Sequence, residues 1–228
     1  MAKKPKKISR KKLLKEPDEF ITFSGKLIRF GQTYHRQITI GVAAVFAILI
    51  IASGYRYFSI KGEQKAFTAL SKAQAQYETL VQDMTPAEAY QKVKPDFEQL
   101  LDKYGHRQGG RLARILFANI SYAGGAYQES IALYQKALDD FAGNPLMTHG
   151  ILSGLGYAHE ALNEDDAAVK YFKMIADSPD QILKDEALYH LGNLYQKAGD
   201  QAASQKAFAT IVSDYPESFY LDLAKEKT

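Results

Sequence analysis

Three times between residues 117 and 216 the chain passes through the same punctuation. A large residue followed by a small one occurs at Phe117-Ala118, Leu155-Gly156 and Leu191-Gly192. Seven residues past the small one stand Gly125, Asn163 and Gly199, types that accept a left-handed or tight backbone. Sixteen past it stands an aromatic, Tyr134, Phe172 or Phe208. Nineteen past it stands a smaller apolar residue, Ala137, Ile175 or Ile211. The copies are 38 and then 36 residues apart, and Pro145, Pro179 and Pro216 close the three units. A period of this length marks a solenoid of stacked helix pairs. The small residue lets the first helix approach the second, the aromatic fills the space between neighbouring pairs, and proline ends the second helix.

Nearly every signal from Lys61 onward is helical. Breakers are sparse and fall at intervals, and no segment alternates apolar and polar residues long enough to argue for a strand. Thr85-Pro86-Ala87-Glu88 reads as a capping box with Pro at the first helical position. Phe97 and Tyr104 have the separation of Phe208 and Tyr215, which makes residues 61–104 a degenerate capping unit. Pro95 inside that stretch predicts a kink or a split helix.

Before this region comes an almost wholly apolar run, Ile38 to Tyr57, whose one charge is Arg56. About 20 helical residues at about 1.5 Å each span about 30 Å, the hydrocarbon thickness of a bilayer. Charge divides on either side of it. Residues 1–37 carry eleven Lys/Arg against three acidic residues, whereas residues 57–228 are net −6. Lys and Arg gather on the cytoplasmic flank of a membrane helix, so the N-terminus is expected to be cytoplasmic and the C-terminal region to face the other way. The rival reading of Lys3, Lys4, Lys6, Lys7, Arg10, Lys11, Lys12 and Lys15 is nucleic-acid binding. Their place on the flank where topology requires them favours no nucleic acid as partner.

The leader is longer than that of a cleaved secretory signal, and so is the apolar run, which favours an uncleaved anchor. Cleavage after Gly54, in Ala52-Ser53-Gly54, is the alternative. Tyr34 on one side and Tyr55, Tyr57 and Phe58 on the other suit an interfacial aromatic belt. Phe20, Phe23, Leu27, Phe30 and Tyr34, with Lys26, Arg29 and Arg36 between them, predict an amphipathic helix on the inner leaflet, bending near Gly31. The plainer alternative is that it extends the membrane helix. Cysteine is absent, so neither disulfide nor thiol chemistry enters.

The repeated residues resemble the tetratricopeptide repeat (TPR), most closely in Leu191-Gly192, Tyr195, Gly199-Asp200, Phe208 and Pro216, and in Ala168 and Phe172 of the preceding copy. The first copy is looser, with Ser130 where the repeat has Ala. The layout as a whole resembles the YfgM-like family of ancillary subunits of the bacterial SecYEG translocon. Tyr215-Pro216-Glu217-Ser218 is similar to the repeat ending of envelope TPR proteins of cell division and outer-membrane assembly. The resemblance implies an all-α chain: a single N-terminal transmembrane helix, then a TPR-like α-solenoid of about three to four helical hairpins. Its parts are a basic cytoplasmic leader with an amphipathic helix (1–37), the membrane helix (38–58), a linker helix with a degenerate capping hairpin (59–110) and the repeats (111–228).

In TPR arrays positions 2, 5, 9, 12 and 13 of each unit face the groove. With units starting at Arg111, His149 and Asp185, the resemblance implies a protein-binding groove of Asn119, Tyr122, Tyr157, Glu160, Tyr189, Asn193, Gln196 and Lys197. Packing between repeats is the competing role for its tyrosines. Aromatic and amide groups suit polypeptide partners. The carboxylate-clamp subtype pairs Lys at position 5 with Asn at position 9; Asn119 and Asn193 match, but Ile115 and Tyr189 replace the Lys.

No catalytic constellation stands out. His35, His106, His149, His159 and His190 are scattered, Gly150-Ile151-Leu152-Ser153-Gly154 lacks the spacing of a nucleophile elbow, and the pairs Gly109-Gly110 and Gly124-Gly125 lack the Lys of a phosphate loop. Glu164-Asp165-Asp166 reads as a solvated turn and helix start. The expectation is a non-enzymatic, cofactor-free scaffold in the inner membrane, its C-terminal domain periplasmic, binding exported or membrane-embedded proteins. The alternative is a structural coordinator of cell-division or outer-membrane and cell-wall assembly machinery.

Overall fold

The computed structural model describes residues 19–228. The basic run from Lys3 to Lys15 therefore lies outside the described residues. All elements described are helical, with no strand among them. The described residues divide into two units, 19–60 and 61–228.

In the first unit, α1 (Glu19–Thr33) is followed after Tyr34 by α2 (His35–Asp83). The interruption falls at Tyr34, three residues past Gly31. Hydrogen bonding continues across it, Tyr34 N–H to Phe30 O and Ile38 N–H to Tyr34 O, both at 2.9 Å. Gly31 stays inside the helix, because one glycine costs only about 1 kcal/mol relative to Ala. Up to Ile60, α2 leaves its large apolar side chains exposed, Phe46 at 62% and Ile51 at 71%. Among the described residues it is the one helix long and apolar enough to cross a bilayer.

In the second unit, the part of α2 beyond Lys61 pairs with α3 (Pro86–Tyr104). The turn between them carries the capping box: Glu88 N–H donates to Thr85 Oγ1 (3.3 Å), and Thr85 N–H to Glu88 Oε2 (3.0 Å). The Thr85 N–H, and after it the Thr85 hydroxyl, hold the Glu88 carboxyl below its ordinary pKa. Helix α3 runs unbroken through Pro95, so it is not split. Pro95 is exposed, which leaves the unpaired carbonyl one turn back open to water, while Val93 and Phe97 on either side are fully buried. Ala73, Tyr90, Val93, Phe97, Leu100, Ala113, Phe117 and Ile120 form the core at this end, with Phe97 and Phe117 stacked at 5.0 Å.

Three more hairpins follow: α4 (Gln108–Ala123) with α5 (Tyr127–Asp140), α6 (Pro145–Ala161) with α7 (Asp165–Ala176), and α8 (Lys184–Ala198) with α9 (Gln201–Asp214). The short α10 (Leu221–Lys225) ends the array. Gly125, Asn163 and Gly199 take φ of 78°, 58° and 82° at the three turns, as the spacing requires. Pro145 opens α6 and does not end α5: it sits at the first helical position, behind Asn144, whose side chain accepts from Met147 N–H at 3.2 Å. Leu183, just before α8, is also left-handed (φ 57°), which no residue-type rule marks.

The packing logic holds in a more specific form. The ring tips of Phe172 and Phe208 stand where a Cβ on Gly156 or Gly192 would fall, at 2.5 and 2.6 Å. Tyr134 instead turns to Gly154 of the next hairpin. Ser130 and Ser204, which face the small residue of their hairpins, are buried and donate to the carbonyls of Ala118 (2.9 Å) and Gly192 (2.8 Å). A serine satisfied this way fits where alanine is usual, so the first copy is less irregular than its sequence. Gly109 is a crossing point. A Cβ there would lie 2.8 Å from Phe67 N and 2.9 Å from the Ala66 carbonyl carbon, and its N–H donates to Glu63 at 2.9 Å.

Candidate functional site

The first helix of each hairpin contributes to one row of side chains. The Tyr122 ring lies 5.4 Å from Tyr127 and 6.5 Å from Tyr157. Tyr157 meets His190 edge-on at 4.8 Å, and Tyr189 stacks on Tyr220 at 4.6 Å. Tyr189 and His190 are adjacent in α8, with rings 5.8 Å apart, so the row runs without interruption from α4 to α10.

Polar groups bind the row across hairpins. Glu186 Oε1 accepts from Tyr157 Oη (2.6 Å) and Ser153 Oγ (2.7 Å). His190 is stacked on Phe172 at 4.8 Å, and its Nδ1 bonds Glu160 Oε2 at 3.1 Å. Burial, and then the Glu186 carboxylate, raise the Tyr157 pKa well above its ordinary value. Burial also raises Tyr122, aided by Tyr127 and Glu160, and Tyr220, aided by Glu186 and Asp185. The phenols therefore remain neutral donors at pH 7.

Of the eight residues expected in the groove, Tyr122, Tyr157, Glu160 and Tyr189 come together in this row. Asn193 shares the helix and donates to Tyr189 O at 3.0 Å. Asn119 is exposed on α4 and accepts from the Tyr134 hydroxyl. Gln196 and Lys197 sit apart, in the last turn of α8. Gln196 accepts from Lys227 at 3.0 Å, and Lys197 pairs with Asp165 at 2.8 Å. Ser153 and Glu186 were missing from the expected set although they occupy positions 5 and 2 of their units. His190 was missed because its neighbours in sequence say nothing of Phe172 and Glu160.

The remaining polar groups are structural in geometry. His149 is buried, with Nδ1 3.0 Å from Ile182 O, and His159 Nδ1 bonds Glu164 Oε2 at 2.6 Å. Asp165 and Asp166 lie in the first turn of α7, where they oppose the helix dipole. Lys94 bonds Glu129 at 2.7 Å and Tyr90 at 3.1 Å, which raises its pKa. Among the described residues no group of three His, Cys, Asp or Glu is placed to hold a metal.

The tetratricopeptide-repeat family model matches residues 186–218, most of the third repeat. Among solved structures, a tetratricopeptide repeat protein from Parabacteroides merdae ATCC 43184 superposes with a TM-score of 0.55 at 17% identity. The match covers 70% of this chain and 59% of that one. No curated protein matches the sequence. At this identity the likeness speaks for the fold, an array of tetratricopeptide-type hairpins, and such repeats serve as protein-interaction scaffolds.

Proposed function

We propose that this chain is a membrane-anchored scaffold that holds other proteins against the row on α4, α6 and α8. It acts by binding and not by catalysis. The observation that carries the reading is the unbroken aromatic row from Tyr122 to Tyr220, with neutral phenol donors and the exposed amide of Asn119 beside it. Rigid aromatic surface with hydrogen-bonding groups suits a polypeptide segment. The apolar stretch of α2 supplies the anchor. Together with the basic leader it supports an inner-membrane location with the array on the outer, periplasmic face. Confinement there raises the effective concentration of partners at the membrane. The layout favours a place beside the secretion translocon, as in the YfgM-like family, or in an envelope chaperone network.

The test is site-specific photo-crosslinking from Asn119 and Tyr189, at and beside the row, with the exposed Lys206 on α9 as control. Protein adducts at the first two and not at Lys206 support the reading, and equal patterns at all three sink it. A reporter active only outside the cytoplasm, fused after Thr228, checks topology: it should be active. The division-coordinator alternative leans on the Tyr-Pro-x-Ser ending, but Tyr215 and Ser218 bond back to Gln181 (2.9 Å) and Asp185 (2.6 Å), which gives the ending a folding role. A septal ring in place of a uniform membrane signal would restore that alternative.

A further inference from the structure

Helix α1 carries an uncovered apolar face. Phe23, Leu27 and Phe30 are 63%, 59% and 56% exposed, and Tyr34 continues their line, its ring 4.8 Å from that of Phe30. At about 100° per residue these side chains share one side of the helix, Arg29 and Gln32 lie on the opposite side together with Ile28, which is 61% exposed, and Lys26 lies at the edge. We propose that α1 is a second membrane contact, an in-plane helix that seats this face at the acyl boundary and takes anionic lipid headgroups with Lys26 and Arg29, joined by Arg36 at the start of α2. The inference rests on the anchor reading of α2.

Two observations name a bilayer as the occupant. Charge is one: between residues 19 and 37 three cations stand against the single carboxylate Glu19, which suits an anionic surface. Continuity is the other. Helix α1 ends at Thr33, and the bilayer-length apolar stretch of α2 begins five residues later at Ile38. A 15-residue helix with basic groups beside a line of Phe and Leu is short for a crossing and suits the interface. The face is built of large side chains alone, Phe23, Leu27, Phe30 and Tyr34, with no small residue among them of the kind that lets α6 lock to α7. A fluid partner needs none.

The chain contains no Trp, so each single-Trp variant is its own reporter. Full-length Phe30→Trp, Gln32→Trp and Phe46→Trp are reconstituted in vesicles with bromine-labelled acyl chains, either phosphatidylcholine alone or with phosphatidylglycerol at about three in ten. Phe30→Trp should be quenched at least twofold more than Gln32→Trp in the anionic vesicles. That contrast should fall at least twofold in neutral vesicles, and equally when Lys26→Glu and Arg29→Glu are added. Equal quenching at 30 and 32, or a contrast indifferent to lipid charge, overturns the inference while Phe46→Trp remains quenched. An unquenched Phe46→Trp overturns the anchor reading itself and this inference with it.

Discussion

Residues 19–60 and 61–228 use the same secondary structure and treat their large side chains in opposite ways. In the first unit Phe46 is 62% exposed; in the second Phe172 is fully buried. The second unit carries small residues at fixed offsets from its aromatics, so each ring has a gap to enter. In the first, apolar residues surround α2 on all sides and its glycines face open space: a Cβ on Gly41 or Gly54 would meet nothing within 4 Å. Helix formation is thus common to both, and the placing of glycine opposite an aromatic separates a helix that packs on protein from one that leaves its apolar surface exposed.

The largest break in that comparison should come from Phe172→Ala, which removes a fully buried ring and is expected to cost about 3–5 kcal/mol. Thermal unfolding of the full chain in detergent should show a Tm lower by about 6–20 °C, given about 2–4 °C per kcal/mol at this size. Phe46→Ala should leave that transition in place. An equal loss from both would remove the distinction between the units.

Alkaline pH probes the second unit alone. Burial pushes the Tyr134 phenol from 10.0 up to about 12. A raised folded-state pKa means that its contribution is complete below the unfolded value and is lost as pH climbs through about 12. That loss is roughly 2–3 kcal/mol. Denaturant unfolding between pH 9 and pH 12 should fall less steeply for Tyr134→Phe than for the natural chain; parallel curves would show that burial of this phenol does not govern the decline.

Next comes Gly156→Ala, whose added carbon would lie 2.5 Å from the Phe172 ring and should cost about 1–3 kcal/mol. Gly41→Ala meets nothing and should be neutral or slightly stabilising by helix propensity. Circular-dichroism melts of the pair should therefore move in different directions. The smallest effect is Ser204→Ala, which removes the hydroxyl and leaves Gly192 O with its helical partner, at about 1 kcal/mol or less. Ser204→Val at the same buried site should cost more, and the order of those two Tm values sharpens the claim that this position is limited by size.

Spacing made the hairpins, their left-handed turns and the Thr85 cap legible, because each is a local matter of one residue type at one offset. Residues whose role is fixed by the helix that arrives opposite were hidden. Ser130 looked like a flaw until the Ala118 carbonyl stood across from it. Gly109, beside no Lys of a phosphate loop, finds its use only in the crossing with Ala66 and Phe67. The aromatic row was half legible. The position rule placed Tyr157 and Tyr189, yet the same rule reached Ser153 and Glu186 without saying that they would hold Tyr157 between hairpins.

The bonds between successive hairpins share a reach. Ser153 to Glu186 spans 33 residues, Lys197 to Asp165 spans 32, and His190 to Glu160 spans 30. Each clasp joins one repeat to the next and to nothing farther away. Under a pulling force on the C-terminus, α8 and α9 can therefore release while the hairpins before them keep their own clasps. The array should lengthen in discrete steps, like links paid out from a chain, and a partner gripping two neighbouring hairpins would raise the force of one step and leave the rest unchanged.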